Sequence, residues 1–124
     1  MKYAIIIVRV LLGLMFAVFG SNAFFHFFPM PQIPGQAGAF MGALISSGYI
    51  YPIATLQVLG GLLLLLGGRF VALGLTLLGP VIVNIDLYHI FLDRSGLAMA
   101  VVISILALFL LWVYRYKFPA IFQP

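Results

Sequence analysis

Four long runs of apolar residues, separated by short polar breaks, organise this chain: Tyr3 to Asn22, Ile50 to Leu66, Phe70 to Leu92 and Leu97 to Tyr114. Each approaches the roughly 20 residues that a helix needs to cross a bilayer, the second being the shortest. Uninterrupted stretches such as Leu62 to Leu66 lack the in–out alternation of a membrane β-barrel. The pattern predicts an all-α membrane protein, a four-transmembrane-helix bundle. Its helices are expected over about 3–25, 50–67, 70–92 and 97–115, in a single integral membrane domain covering 1–124.

The one long break, 26–48, has its own pattern. Phe24, Phe25, His26, Phe27 and Phe28 form an aromatic belt of the kind found at headgroup level. Pro29, Pro31, Pro34 and Gly35 then interrupt any helix. Beyond them Phe40, Met41, Leu44 and Ile45 recur at helical spacing, which predicts a short interfacial helix in the first outer loop. An interfacial anchor is the plainer expectation for it, and a lid over the outward mouth of the bundle is the other.

Composition sharpens the solvent. The chain is 65% hydrophobic and 6% charged, with a mean hydropathy of +1.27. A soluble exterior of that kind would be one large sticky patch, so lipid is the expected surrounding. The net charge of +4 is not read as a nucleic-acid signal. Lys2, Arg9, Arg69, Arg115 and Lys117 flank helix ends on one side, and Arg94 alone lies on the other. By the positive-inside bias both termini are expected in the cytoplasm. Arg9 within the first run argues for a retained helix rather than a cleaved signal peptide. With no cysteine there is no disulfide, thiolate metal site or iron–sulfur cluster, so redox work would need a bound quinone, haem or metal, or a partner protein.

Small residues mark expected packing faces: Gly13, Ala17 and Ser21 on the first helix, and Ala54, Gln57 and Gly61 on the second. Polar residues mark an expected site. Asn84, Asp86 and His89 interrupt the third apolar run, where such groups are costly and expected to face protein or water. Counted from Arg69, Asn84 and Asp86 stand roughly 22–26 Å and His89 about 30 Å along the helix. Asn22 and His26 on the first helix and Gln57 on the second reach a similar outward level. At about 100° per residue, however, Asp86, His89 and Asp93 share one stripe, whereas Asn84 points almost oppositely with Pro80 and Tyr88. His26 and His89 are the weak candidates for metal or haem ligation, and interfacial histidines bonded to backbone or water are the plainer reading. Asp86 is the candidate proton carrier, against the plainer reading that it reaches the interface. Asp93 to Gly96 reads as a solvated turn, and Trp112, Tyr114 and Tyr116 as an inner-leaflet anchor.

Several of these residues carry a resemblance. Arg9, Gly13, Phe16 and Gly20, then Leu56, Gln57, Gly60, Gly61 and Gly67, resemble the first two helices of the DoxX family of small bacterial membrane proteins. His26, Pro29 and Pro31, with Pro80, Asn84, His89, Phe91 and Asp93, resemble one uncharacterised branch of it. The resemblance implies a four-helix inner-membrane protein. Some relatives are subunits of a thiosulfate:quinone oxidoreductase, others are linked to redox-stress complexes, and more distant ones are membrane chaperones or cargo receptors. An acidic residue is usual in the family where Gln57 stands, so any carboxylate needed there would have to come from Asp86. Fold does not fix function.

The resulting expectation is an outward-facing polar pocket of Asn22, His26, Gln57, Asn84 and His89, with Asp86 in or beside it. It would bind a small amphipathic ligand, quinone or lipid, as part of a membrane redox assembly. No catalytic constellation is evident, so the chain alone is expected not to be an enzyme but, at most, a subunit of a quinone-linked oxidoreductase. The expected partners are the lipid bilayer, further copies of the chain or redox proteins, and no nucleic acid. Two alternatives stand beside this: a non-enzymatic scaffold or assembly factor, and a small oligomeric transporter using Asp86.

Overall fold

Apolar residues on every side of a helix leave backbone shape, more than side-chain polarity, to decide how the helices meet. The structure, a computed structural model, describes residues 1–25 and 33–119. Every element among them is helical: α1 (Lys2–Phe25), α2 (Gly35–Ser47), α3 (Ile50–Leu66), α4 (Phe70–Phe91), a 3₁₀ turn (Arg94–Gly96), α5 (Leu97–Val113) and a second 3₁₀ turn (Arg115–Lys117). Three helical stretches are long and apolar enough to cross a membrane: α1, α4 and Arg94–Val113. A fourth is present if α2 and α3, which meet at 88°, count as one broken span.

Neighbours pack in the order α1, α3, α4, α5 and back to α1, which places the long helices in a ring. The α1–α3 side is closest because it is built on glycine. A Cβ at Gly61 would stand 2.6 Å from the Gly13 carbonyl oxygen and 2.7 Å from the Ala17 nitrogen, and one at Gly13 would stand 2.9 Å from the Gly61 oxygen. In lipid such close backbone approach supplies the dispersion contact that hydrophobic exclusion supplies in water. The core inside the ring comes from Leu12 and Phe16 of α1, Leu64 of α3, Val71, Leu75 and Leu78 of α4, and Ile103 and Leu110 of α5. Outside it, Leu11, Leu14 and Val18 of α1 and Val102, Ile105 and Leu108 of α5 are exposed. Apolar faces of that extent suit a hydrocarbon surrounding.

The α3–α4 turn explains how Arg9 is tolerated in an apolar helix. Gly67 and Gly68 take left-handed φ values of 77° and 59°, ending α3 and leaving its last carbonyls without helical donors. Arg9 reaches across from α1, and its Nη1 donates to Leu64 O at 2.7 Å and Leu65 O at 2.9 Å. A guanidinium at a helix C-terminus is favoured by the macrodipole as well as by the hydrogen bonds. A Cβ on Gly67 would sit 2.8 Å from that same nitrogen, so a side chain there would push the guanidinium off these carbonyls.

α2 begins after Pro34 in extended conformation and ends at Gly48, whose φ of 80° and N–H to Ile45 O close the helix. It buries Ala37 and leaves Phe40 and Ile45 partly exposed. Its crossing direction carries it over the Tyr49 end of α3 toward α4, and this positions the site.

Candidate functional site: a cleft beneath α2

Between α2, α3 and the second half of α4 lies a cleft of about 710 Å³. That is within the range of small-molecule sites. Phe40 and Leu44 of α2 line its roof, and Ile53 and Leu56 of α3 and Val81 and Ile85 of α4 its floor. The residues with polar groups that line it are Ser47, Tyr49, Gln57, Asn84, Tyr88 and His89. Among the described residues that line it there is no lysine, arginine, aspartate or glutamate.

Gln57 enters from the α3 side. Its Cβ rests against Gly20 of α1, where an added Cβ would come within 2.8 Å of it. Among the described residues its amide has no hydrogen-bond partner, and no described buried side-chain nitrogen or oxygen is sealed away unpaired. The amide is therefore accessible from outside the fold rather than sealed within it. Such a group is costly in hydrocarbon and cheap beside a polar ligand.

Asn84 enters from α4. Pro80 lies one turn earlier, inside the helix, and the Asn84 amide nitrogen donates to its carbonyl at 2.8 Å. This fixes the amide plane and leaves Asn84 Oδ1 without a partner among the described residues. Tyr88, one turn further along, stacks obliquely on Phe40 with ring centroids 5.8 Å apart, which ties the roof to α4. His89 follows, edge-on to Tyr88 at 5.0 Å. Its Nδ1 lies 2.9 Å from Asp93 O, and because a carbonyl only accepts, Nδ1 carries the proton. The Nε2 of the neutral ring is then an acceptor. Gly96 makes the space: a Cβ there would collide with the imidazole.

Asp86 does not line the cleft. It faces α5, where the Ser104 hydroxyl donates to its Oδ2 at 2.6 Å. Asn84 and Asp86 are thus held on different sides of α4. Asn22 is buried on α1 and is not among the cleft's lining residues. His26 lies outside the described residues. Of the six residues singled out from the sequence, the structure gathers Gln57, Asn84 and His89 in the cleft. Among the described residues no three His, Cys, Asp or Glu side chains lie close enough together to hold a metal ion.

Beyond the cleft, Asp93 caps the turn into α5 by accepting from the Ser95 hydroxyl and from the Ser95 N–H. These bonds, the hydroxyl first, hold its carboxyl below the usual carboxylate range, with His89 adding a smaller effect in the same direction. At the opposite end of the molecule Arg115 stacks on Trp112 and Tyr116, at 4.2 and 4.4 Å from the ring centroids.

Comparison with family models, with characterised proteins and with solved structures finds no match for this chain.

Three contributors escaped the sequence reading as parts of a site. Tyr88 carries an ordinary aromatic signal and matters through its contact with Phe40. Ser104 had a usable signal: it is the only hydroxyl of α5, and it lies eight residues past the α4–α5 turn at Gly96 while Asp86 lies seven before Asp93. Similar distances from one turn put two residues of an antiparallel pair at nearly the same height. Ser47 sits in the α2–α3 bend, which apolar spacing does not describe.

Proposed function

We propose that this chain is a four-span, DoxX-like protein of the bacterial inner membrane whose cleft binds a small amphipathic molecule, a quinone or a lipid, within a larger redox assembly. In this reading α3 spans the membrane and α2, at 88° to it, lies along the outer interface as a roof over the cleft. Lys2, Arg9, Arg69, Arg115 and Lys117 belong to the end opposite the cleft, which supports cytoplasmic termini. The observation that carries the binding reading is the Gln57 amide, unpartnered among the described residues, in a cleft whose walls are mostly apolar side chains. The aliphatic and aromatic walls would hold the apolar part of the ligand, and the amides and imidazole would orient its polar part.

Thermal unfolding in detergent tests this. A ligand at a hundredfold excess over its Kd stabilises the folded state by about 2.7 kcal/mol. Addition of a short-chain quinone or a diacylglycerol should raise the melting temperature of the wild type. It should not raise that of a folded Asn84→Leu/His89→Leu variant. Equal stabilisation of both proteins would remove the cleft from the account.

The second reading, a scaffold or assembly factor, draws support from the polar contacts that join helices, Arg9 to the end of α3 and Asp86 to Ser104. It expects substitutions at those positions to affect stability or complex formation while ligand affinity stays unchanged. A carrier mechanism through the cleft would have to work without Asp86, which lies on the other side of α4.

A further inference from the structure

No lysine, arginine, aspartate or glutamate is among the described residues that line the cleft, and that bears on which amphiphile it takes. This inference rests on the binding reading above and narrows it. Gln57 offers two N–H donors and one oxygen acceptor. Asn84 Oδ1 and, with the ring neutral, His89 Nε2 offer acceptors. Tyr49 and Tyr88 add hydroxyls, while the Ser47 hydroxyl donates to Leu44 O and accepts from the Tyr49 N–H. The nearest cation in sequence, Arg94, turns its Nε back to Ile90 O at 3.3 Å and is not a lining residue.

We propose that the cleft selects an amphiphile with an uncharged headgroup bearing carbonyl or hydroxyl oxygens, and rejects phosphate-bearing lipids. A phosphate placed here would meet no lysine or arginine among the described lining residues, and an anion is the more disfavoured the more water it gives up without such a partner. A hydroxyl or carbonyl loses far less on leaving water and finds both donors and acceptors waiting. The acceptors on α4 favour a headgroup that brings a hydroxyl of its own, while the Gln57 N–H groups suit a carbonyl. A glyceride with a free hydroxyl and a quinone–quinol pair both present this chemistry.

Native mass spectrometry at pH 8 separates the cases, using the full chain in detergent with four added probes: dioleoylglycerol, a two-isoprenoid ubiquinone, phosphatidic acid and phosphatidylglycerol with matching acyl chains. The expected result is retention of one or both neutral probes, with at least tenfold weaker retention of both phospholipids. Gln57→Leu should weaken the retained neutral probe about tenfold, the order of one lost hydrogen bond with its desolvated partner. Which neutral probe is retained distinguishes glyceride from quinone. Phospholipid retained as strongly as the neutral probes, and weakened equally by Gln57→Leu, would overturn the selectivity while leaving the cleft as a binding site. Absence of any retention that responds to Gln57→Leu would overturn the binding reading and the selectivity with it. An Asn84→Leu variant read beside Gln57→Leu covers the case in which one of them fails to fold.

Discussion

The Ser104 hydroxyl donates to Asp86 Oδ2 at 2.6 Å, joining α4 to α5 by a side-chain hydrogen bond between two otherwise apolar faces. This contact gives the only acidic residue of α1 to α5 a structural partner and separates it from Asn84, two residues away, which lines the cleft. Asp86→Asn keeps an acceptor for Ser104 and should cost less than about 1 kcal/mol. Ser104→Ala leaves the carboxyl half-buried and without its donor, and should cost about 1–3 kcal/mol. Thermal unfolding of the two single variants and the double variant measures the coupling. A transport role for Asp86 makes a separate demand, namely that Asp86→Asn abolishes flux.

Arg9 is held by two carbonyls at the end of α3, so its charge and its reach both matter. Arg9→Met removes both hydrogen bonds and the favourable charge at the helix terminus, and should destabilise by about 2–3 kcal/mol, since bonds to charged groups are the stronger ones. Arg9→Lys should recover only part of this, because a single ammonium lacks the planar fork. Hydrogen exchange confined to the α3–α4 turn would report the loss locally. Equal stability of all three proteins would mean that the guanidinium serves topology alone.

Gly61 meets the backbone of Gly13 and Ala17, so even one added carbon has nowhere to go. Gly61→Leu should force α1 from α3 and destabilise by at least the 1–3 kcal/mol typical of overpacking, about the upper end or beyond because the obstacle is backbone. Gly42, by contrast, would meet nothing within 4 Å, and Gly42→Ala should leave the unfolding midpoint unchanged or slightly raised. Thermal melts of the two variants give a direct contrast between a helix contact and an open face.

Asp93 has a folded-state pKa below its ordinary value of 3.8, set chiefly by the Ser95 hydroxyl. A depressed carboxylate contributes to folding above its unfolded pKa, and that contribution fades as pH falls through the lower folded value. The turn into α5 should therefore loosen only under acid conditions, below about pH 4. Ser95→Ala should move the Asp93 titration, followed by carboxyl NMR, back toward the ordinary value. An unmoved midpoint would mean that the hydroxyl contact is absent in the folded protein.

The positions of the long helices were legible because their apolar runs are bounded by glycine, proline and charge, and α2 because Phe40, Met41, Leu44 and Ile45 keep a helical period behind Pro34 and Gly35. Helix faces were harder. α4 is apolar all round, so a periodicity argument separated Asn84 from Asp86 but gave no sign of which of them met α3 or α5. His89 shows the limit of such angles: grouped with Asp86 by rotation, it nonetheless reaches the cleft, because it stands at the end of α4 beside Gly96, where the ring has space to turn. Arg9 was readable as a topology signal, but its hydrogen bonds depend on Gly67 opening the end of α3 opposite it, a relationship across 55 residues that local spacing does not carry.

The account turns on the cleft, and its most direct test is the mass of what the protein carries. Wild type and Gln57→Leu, purified side by side in mild detergent, should differ in one respect: a small amphiphile of defined mass stays with the wild type and is depleted in the variant. Identical bound species in two folded proteins, or none in either after reconstitution into native lipid, would contradict the claim that this cleft is a binding site.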